Sequence, residues 1–267
     1  MRKYTVNDLW IRVVLFFAIC TILVFTFQAF VIPLVESLFN NGENYPPTVR
    51  VNLQRAMNGI VGIGLVYVFL RFDRNKLKVV GFEWNQLKAK EWILVSIPIT
   101  IAGLVPTIII EVIFGIISFG NLIDPIAMIV TLIVAFFAIA LGEEILFRGY
   151  LQSLLETRYS FAFAALVSAA LFGLLHFLLA STGGNLFHMF AILFAAFVIG
   201  LALSYTYRIT GYNLILPVAI HGFWDFFLFI VEADFTYGNP LQVIMETVAS
   251  AVGSLIASVA FPRQHLP

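Results

Sequence analysis

Apolar residues in this chain run in eight long stretches, at 10–34, 56–71, 92–118, 126–157, 160–180, 186–207, 211–231 and 241–261, with polar connections between them. A hydrocarbon core about 30 Å thick takes roughly 20 helical residues to cross. Inside lipid every backbone N–H and C=O must be satisfied within the segment, which favours helices for runs of this length. The pattern therefore predicts an all-α fold, a polytopic membrane helix bundle of about eight transmembrane helices in one membrane-embedded domain over residues 1–267. The second stretch is short and the fourth long, so tilt or projection beyond the bilayer has to absorb the mismatch. Pro98, Pro106 and Pro217 fall within apolar stretches and are expected to kink their helices, freeing carbonyls that can line a cavity. The longer connections lie at 38–54, with Pro46-Pro47 as a turn signal, and at 72–91. No fixed-period repeat or low-complexity tract interrupts the pattern.

Composition agrees with this reading. The chain is 61% hydrophobic and 11% charged, against about 45–50% and about 25% in soluble domains. A net charge of zero gives no reason to expect nucleic acid as a partner. The lone cysteine, Cys20, excludes an internal disulfide and reads as a small packing residue. The segment before Trp10 is too polar, and the run after it too long, for a cleaved signal peptide, so the first stretch is expected to stay as an anchor. The C-terminal FPRQHLP carries no lipidation signal. With eight spans, thirteen of the fifteen Lys and Arg residues fall on the side of the N-terminus, and only Arg50 and Arg55 fall opposite. The positive-inside rule then predicts a multi-pass cell-membrane protein with both termini cytoplasmic.

Against this background the ionisable residues inside apolar runs are conspicuous, because each costs several kcal/mol in hydrocarbon and is rarely kept without a role. The strongest cluster is GEEILFRG, which carries Glu143, Glu144 and Arg148. Glu144 and Arg148 are four apart, share a helix face and have the acid N-terminal to the base, the better orientation for a pair. Such a pair neutralises two otherwise intolerable charges and braces its surroundings. Glu143 is turned about 100° away and is left to face a cavity. Two further polar pairs follow, Phe172/His176 in FGLLH and His221/Asp225 in HGFWD. A lone histidine on an apolar helix is more often a packing residue, but Asp225 one turn beyond His221 can hold the ring and choose its tautomer. Phe172 reads as a packing wall. Measured from the polar connections, Glu143, His176 and His221 lie ~21, ~25 and ~20 Å into their spans, matched depths that a shared site requires. His188, His265, Glu111 and Glu246 read as interfacial or tail residues.

EExxxR, FxxxH and HxxxD, in that order in the fourth, fifth and seventh apolar segments, resemble the CAAX prenyl protease type 2 and bacteriocin-processing (CPBP, or Abi) family of intramembrane proteases. The motifs fall within 125–232, a segment that the resemblance marks as the protease core, and the loop KLKVVGFEWNQLKAKEW is similar to the linker preceding that core. The resemblance implies hydrolysis of a peptide bond in a membrane-associated protein or peptide. By it, Glu143 activates water, His176 helps hold that water, His221 and the position of Asp225 stabilise the oxyanion, and Glu144 and Arg148 brace the site. Relatives commonly carry Asn where this chain has Asp225. A carboxylate cannot donate to an oxyanion unless protonated, so Asp225 is expected to orient His221 or to ligate a metal.

Cofactor use stays open at this level: none, or one divalent metal such as zinc. Two histidines and a carboxylate make His176, His221 and Asp225 candidate metal ligands with a position open to water, while no HExxH occurs. The implied partners are membrane lipids and a protein or peptide substrate. Two other classes fit the same pattern, a non-catalytic scaffold or immunity-type protein on this fold and a transporter with a proton relay. The intact motif set speaks against the first, and the lack of a polar stripe through the other spans against the second.

Overall fold

The computed structural model describes residues 5–39, 47–72, 80–81, 86–113, 125–180, 186–230 and 253. They form seven helices: α1 (6–39), α2 (Pro47–Phe72), α3 (Gln86–Ile113), α4 (125–156), α5 (Phe161–Ala180), α6 (Leu186–Ile209) and α7 (Ile215–Ile230). Each of the first seven apolar stretches overlaps one of them, with 114–118 of the third outside the described residues. The eighth, 241–261, is outside the described residues apart from Gly253. Among the described residues four helices are long and apolar enough to cross a membrane: Val6–Leu34, Met128–Glu156, Phe161–Leu179 and Met189–Ile209. Ala56–Phe72 and Ile215–Phe227 are apolar but shorter. The described residues are thus all-α, and their four long apolar helices are those of a multi-pass membrane protein.

Helix ends follow local chemistry. Thr5 caps α1, its hydroxyl accepting the Asp8 N–H at 3.2 Å, which satisfies one of the donors that a helix start leaves orphaned. α6 closes in a Schellman turn: Tyr212 N–H reaches the Tyr207 carbonyl at 2.9 Å and Gly211 N–H the Arg208 carbonyl at 3.1 Å, with Gly211 at φ 68°. The start of α7 is tied down by Leu214 N–H donating to the Gly81 carbonyl at 3.0 Å. Pro217 differs from expectation. It sits in the first turn of α7, where its missing N–H would have no intrahelical partner anyway. Pro98 and Pro106 do lie inside α3.

α4 is the axis of the bundle, packed against α2, α5, α6 and α7. Every residue from Ile145 to Gln152 is buried. Tyr150 stacks against Phe16 of α1 and Phe69 of α2, with ring centroids at 4.5 and 5.9 Å. Without a hydrophobic driving force between helices in lipid, close association relies on small residues that let backbones approach. α2 meets α4 in this way. A Cβ on Gly142 would collide with the backbone of Gly59, and one on Gly59 with the Ala138 carbonyl. α5 and α6 pair similarly, with Gly200 against Ala169 and Gly173 against the Leu193 carbonyl.

α4 is not a uniform helix. Val134–Ala140 and Ile145–Gln152 are π-helical and enclose a four-residue α segment, Leu141–Glu144. Widened turns re-aim side chains relative to a regular helix and are frequent at functional sites. Here they bracket the two glutamates.

Candidate active site

Glu144 is the hub of the buried polar groups. Fully buried, its Oε1 accepts from Arg148 Nη1 at 2.7 Å and lies 2.9 Å from His221 Nδ1. The Arg148 bond is the i,i+4 pair expected from the spacing. Arg148, 1% exposed, also donates to the Gly200 carbonyl at 3.1 Å, and its guanidinium lies 4.6 Å from the centre of the Phe172 ring. A buried charge pair needs such extra contacts to offset its desolvation.

Glu143, His176 and His221 meet, as their matched depths require. Glu143 Oε2 is 4.0 Å from His176 Nε2 and 3.8 Å from His221 Nε2. These separations exceed a hydrogen bond, and Glu143 Oε2 is buried with no hydrogen-bond partner among the described residues. A water molecule ~2.8 Å from two atoms this far apart would subtend about 90° between them, an ordinary angle for a bridging water. His176 Nδ1 lies 2.9 Å from the Phe172 carbonyl. A carbonyl only accepts, so Nδ1 carries a proton and Nε2 is the ring nitrogen that faces Glu143. Phe172 is the wall anticipated from sequence, its ring centroid 4.4 Å from that of His176 and 6.2 Å from that of His221.

Asp225 departs from expectation. The ring N–H that it was to hold belongs to Glu144, which faces His221 Nδ1 from α4. Asp225 Oδ2 lies 3.6 Å from the other ring nitrogen, Nε2, on the side that faces Glu143. One helical turn brings Asp225 near the imidazole, but the ring plane is set by Glu144, whose contact is shorter.

Among the described residues, no group of three or more His, Cys, Asp or Glu side chains is placed to hold a metal ion. His176 and His221 both have Nδ1 engaged and turn Nε2 toward Glu143 Oε2, and Asp225 Oδ2 lies 3.6 Å from His221 Nε2. The side chains of Glu111 and His188, and the whole of Glu246 and His265, lie outside the described residues.

Three contributors escape a reading by motif: the Gly200 carbonyl, the Phe172 carbonyl and the Gly59/Gly142 contact that seats Glu143. Each is a backbone group or a missing side chain, for which a sequence carries no chemical signal.

No curated protein matches the chain. Residues 124–227 match the model of a protein family described as type II CAAX prenyl endopeptidase Rce1-like, and the match contains every motif residue from Glu143 to Asp225. With the ordered motifs on packed apolar helices and this match across them, residues 124–227 are an Rce1-like type II CAAX prenyl endopeptidase (CPBP) family domain, a membership that implies a membrane protease with a protein substrate.

Proposed function

We propose that this protein is an intramembrane endopeptidase that hydrolyses a peptide bond in a membrane-associated protein or peptide, with Glu143 as general base. The observation that carries the proposal is the approach of Glu143 Oε2 to within 4.0 Å of His176 Nε2 and 3.8 Å of His221 Nε2, from three different helices. In this reading Glu143 takes a proton from water that His176 Nε2 helps hold. The resulting hydroxide attacks the scissile carbonyl carbon, and the carbonyl π electrons move to oxygen. Protonated His221 offers its Nε2–H to that oxyanion in a site of low dielectric, where such a bond counts for more than in water. Glu143 then returns its proton to the departing amine as the C–N bond breaks, leaving a carboxylic acid and an amine.

Glu144 holds His221 through Nδ1 in this scheme, and Arg148 holds Glu144. Asp225, beside Nε2, offsets the positive charge of the imidazolium and is not a donor to the oxyanion. Around this core we place eight transmembrane helices, the eighth at 241–261, with both termini in the cytoplasm. The support is the basic residues, thirteen of fifteen of which fall on the N-terminal side. The test is proteolysis in liposomes with a peptide library. Wild type is expected to cleave and Glu143→Gln to be inactive at equal folded concentration; cleavage by Glu143→Gln at the wild-type rate refutes the scheme.

A further inference from the structure

A cavity of about 20 Å³ lies behind Glu143, between α1, α2, α4 and α5. It is lined by Glu143, by Asn58 of α2 and by Cys20 of α1, and otherwise by glycine and by aliphatic or aromatic side chains. Neither His176 nor His221 lines it. It is therefore separate from the place between Glu143 and the two imidazoles. A volume of about one water probe, ~10–15 Å³, is enough to hold a single water if the site offers polar partners.

Those partners are present. Asn58 Oδ1 is buried with no hydrogen-bond partner among the described residues, and Glu143 lines the same cavity. Buried polar side-chain atoms are nearly always satisfied by protein or by ordered water. A carboxylate oxygen and an amide oxygen are both acceptors and cannot bond to each other, but one water has two donors and can serve both. Their neighbourhood is built by the backbone. Asn58 immediately precedes Gly59 and Glu143 immediately follows Gly142, the two glycines at which α2 and α4 touch. A side chain at either glycine would push the helices apart and separate the pair.

We infer that Asn58 is a positioning residue that holds the Glu143 carboxylate through one water in this cavity. The inference rests on Glu143 being the general base. A base that swings freely spends less time aimed at the nucleophilic water, so loss of the tether acts on turnover and leaves substrate binding alone.

The experiment compares wild type, Asn58→Leu and Asn58→Ser in liposomes, and adds an experimental structure that resolves solvent. Leucine is close to asparagine in size but offers the water nothing, while serine keeps an oxygen that can accept. Asn58→Leu is expected to lower kcat about tenfold with KM within about twofold, and Asn58→Ser to stay within about threefold of wild type. Asn58→Leu at wild-type kcat overturns the inference, as does an Asn58→Ser enzyme that is folded yet as slow as Asn58→Leu. The structure decides without reference to activity or to how the variants fold. Water within about 3.2 Å of both Asn58 and Glu143 supports the tether, and none there overturns it. Cleavage by Glu143→Gln at the wild-type rate would instead refute Glu143 as the general base and leave this water site to be judged by the structure alone.

Discussion

Glu144→Ala is the sharpest test of how the site is divided between bracing and chemistry. Glu144 is fully buried and holds two groups at once, Arg148 Nη1 at 2.7 Å and His221 Nδ1 at 2.9 Å. Truncation removes both bonds and leaves a 1% exposed guanidinium without its counter-charge. Breaking a buried ion pair from one side costs about 3–5 kcal/mol, far more than deleting an exposed pair. The Gly200 carbonyl and the Phe172 ring remain beside Arg148, which argues for the lower half of that range. At about 1.4 kcal/mol per factor of ten, a loss of ~3 kcal/mol reduces the folding equilibrium constant by about two orders of magnitude. Glu143→Gln is the control. Glu143 is 19% exposed, and its nearest imidazole nitrogen is 3.8 Å away, so the amide breaks no direct bond. Reversible unfolding of both variants in the same detergent should show a large loss for Glu144→Ala and a change within about 0.5 kcal/mol for Glu143→Gln. Equal destabilisation by the two, or a loss below about 1 kcal/mol for Glu144→Ala, refutes this assignment of Glu144 as the structural hub.

Three further outcomes are expected. Gly142→Ala forces a Cβ against the Gly59 backbone, so it should cost about 1–3 kcal/mol by overpacking and lower turnover by displacing Glu143; unfolding and cleavage assays at matched folded protein check both halves. His176→Ala removes a ring that is 31% exposed, and should leave stability within about 1 kcal/mol of wild type while lowering cleavage by about a hundredfold. Asp225→Asn leaves the Glu144–His221 bond in place, so residual cleavage should stay within about tenfold of wild type, whereas Glu144→Gln, which weakens the hold on Nδ1, should lose more; the reverse order in a side-by-side kcat comparison would return the orienting role to Asp225.

Much of the site was legible because of where its residues sit. An ionisable side chain in an apolar run stands out, and the i,i+4 spacing of Glu144 and Arg148 follows from helix geometry alone. The same rule brings Asp225 within 3.6 Å of the His221 ring, but at Nε2 and not at the nitrogen that Glu144 holds. A neighbour one turn away competes with whatever another helix brings, and Glu144, 77 residues earlier in the chain, comes closer. Pro217 reads as a kink while the start of its helix is unknown; at the first turn of α7 it is harmless. Asn58 gave no signal at all. An asparagine in a moderately polar helix is unremarkable until the Gly59–Gly142 contact sets it beside Glu143.

What this amino-acid sequence determined by itself is therefore local: helices from runs of apolar residues, the Glu144–Arg148 pair from helical spacing, and the identity of the acids and imidazoles from their cost in hydrocarbon. The tertiary structure decided which nitrogen faces which carboxylate, which carbonyls complete the shells of Arg148 and His176, and which polar atoms share the cavity behind Glu143. The physical reason is that these depend on the rotation and distance of packed helices. Close packing at small residues sets both, and a glycine records in the sequence only that something approaches, not what it brings.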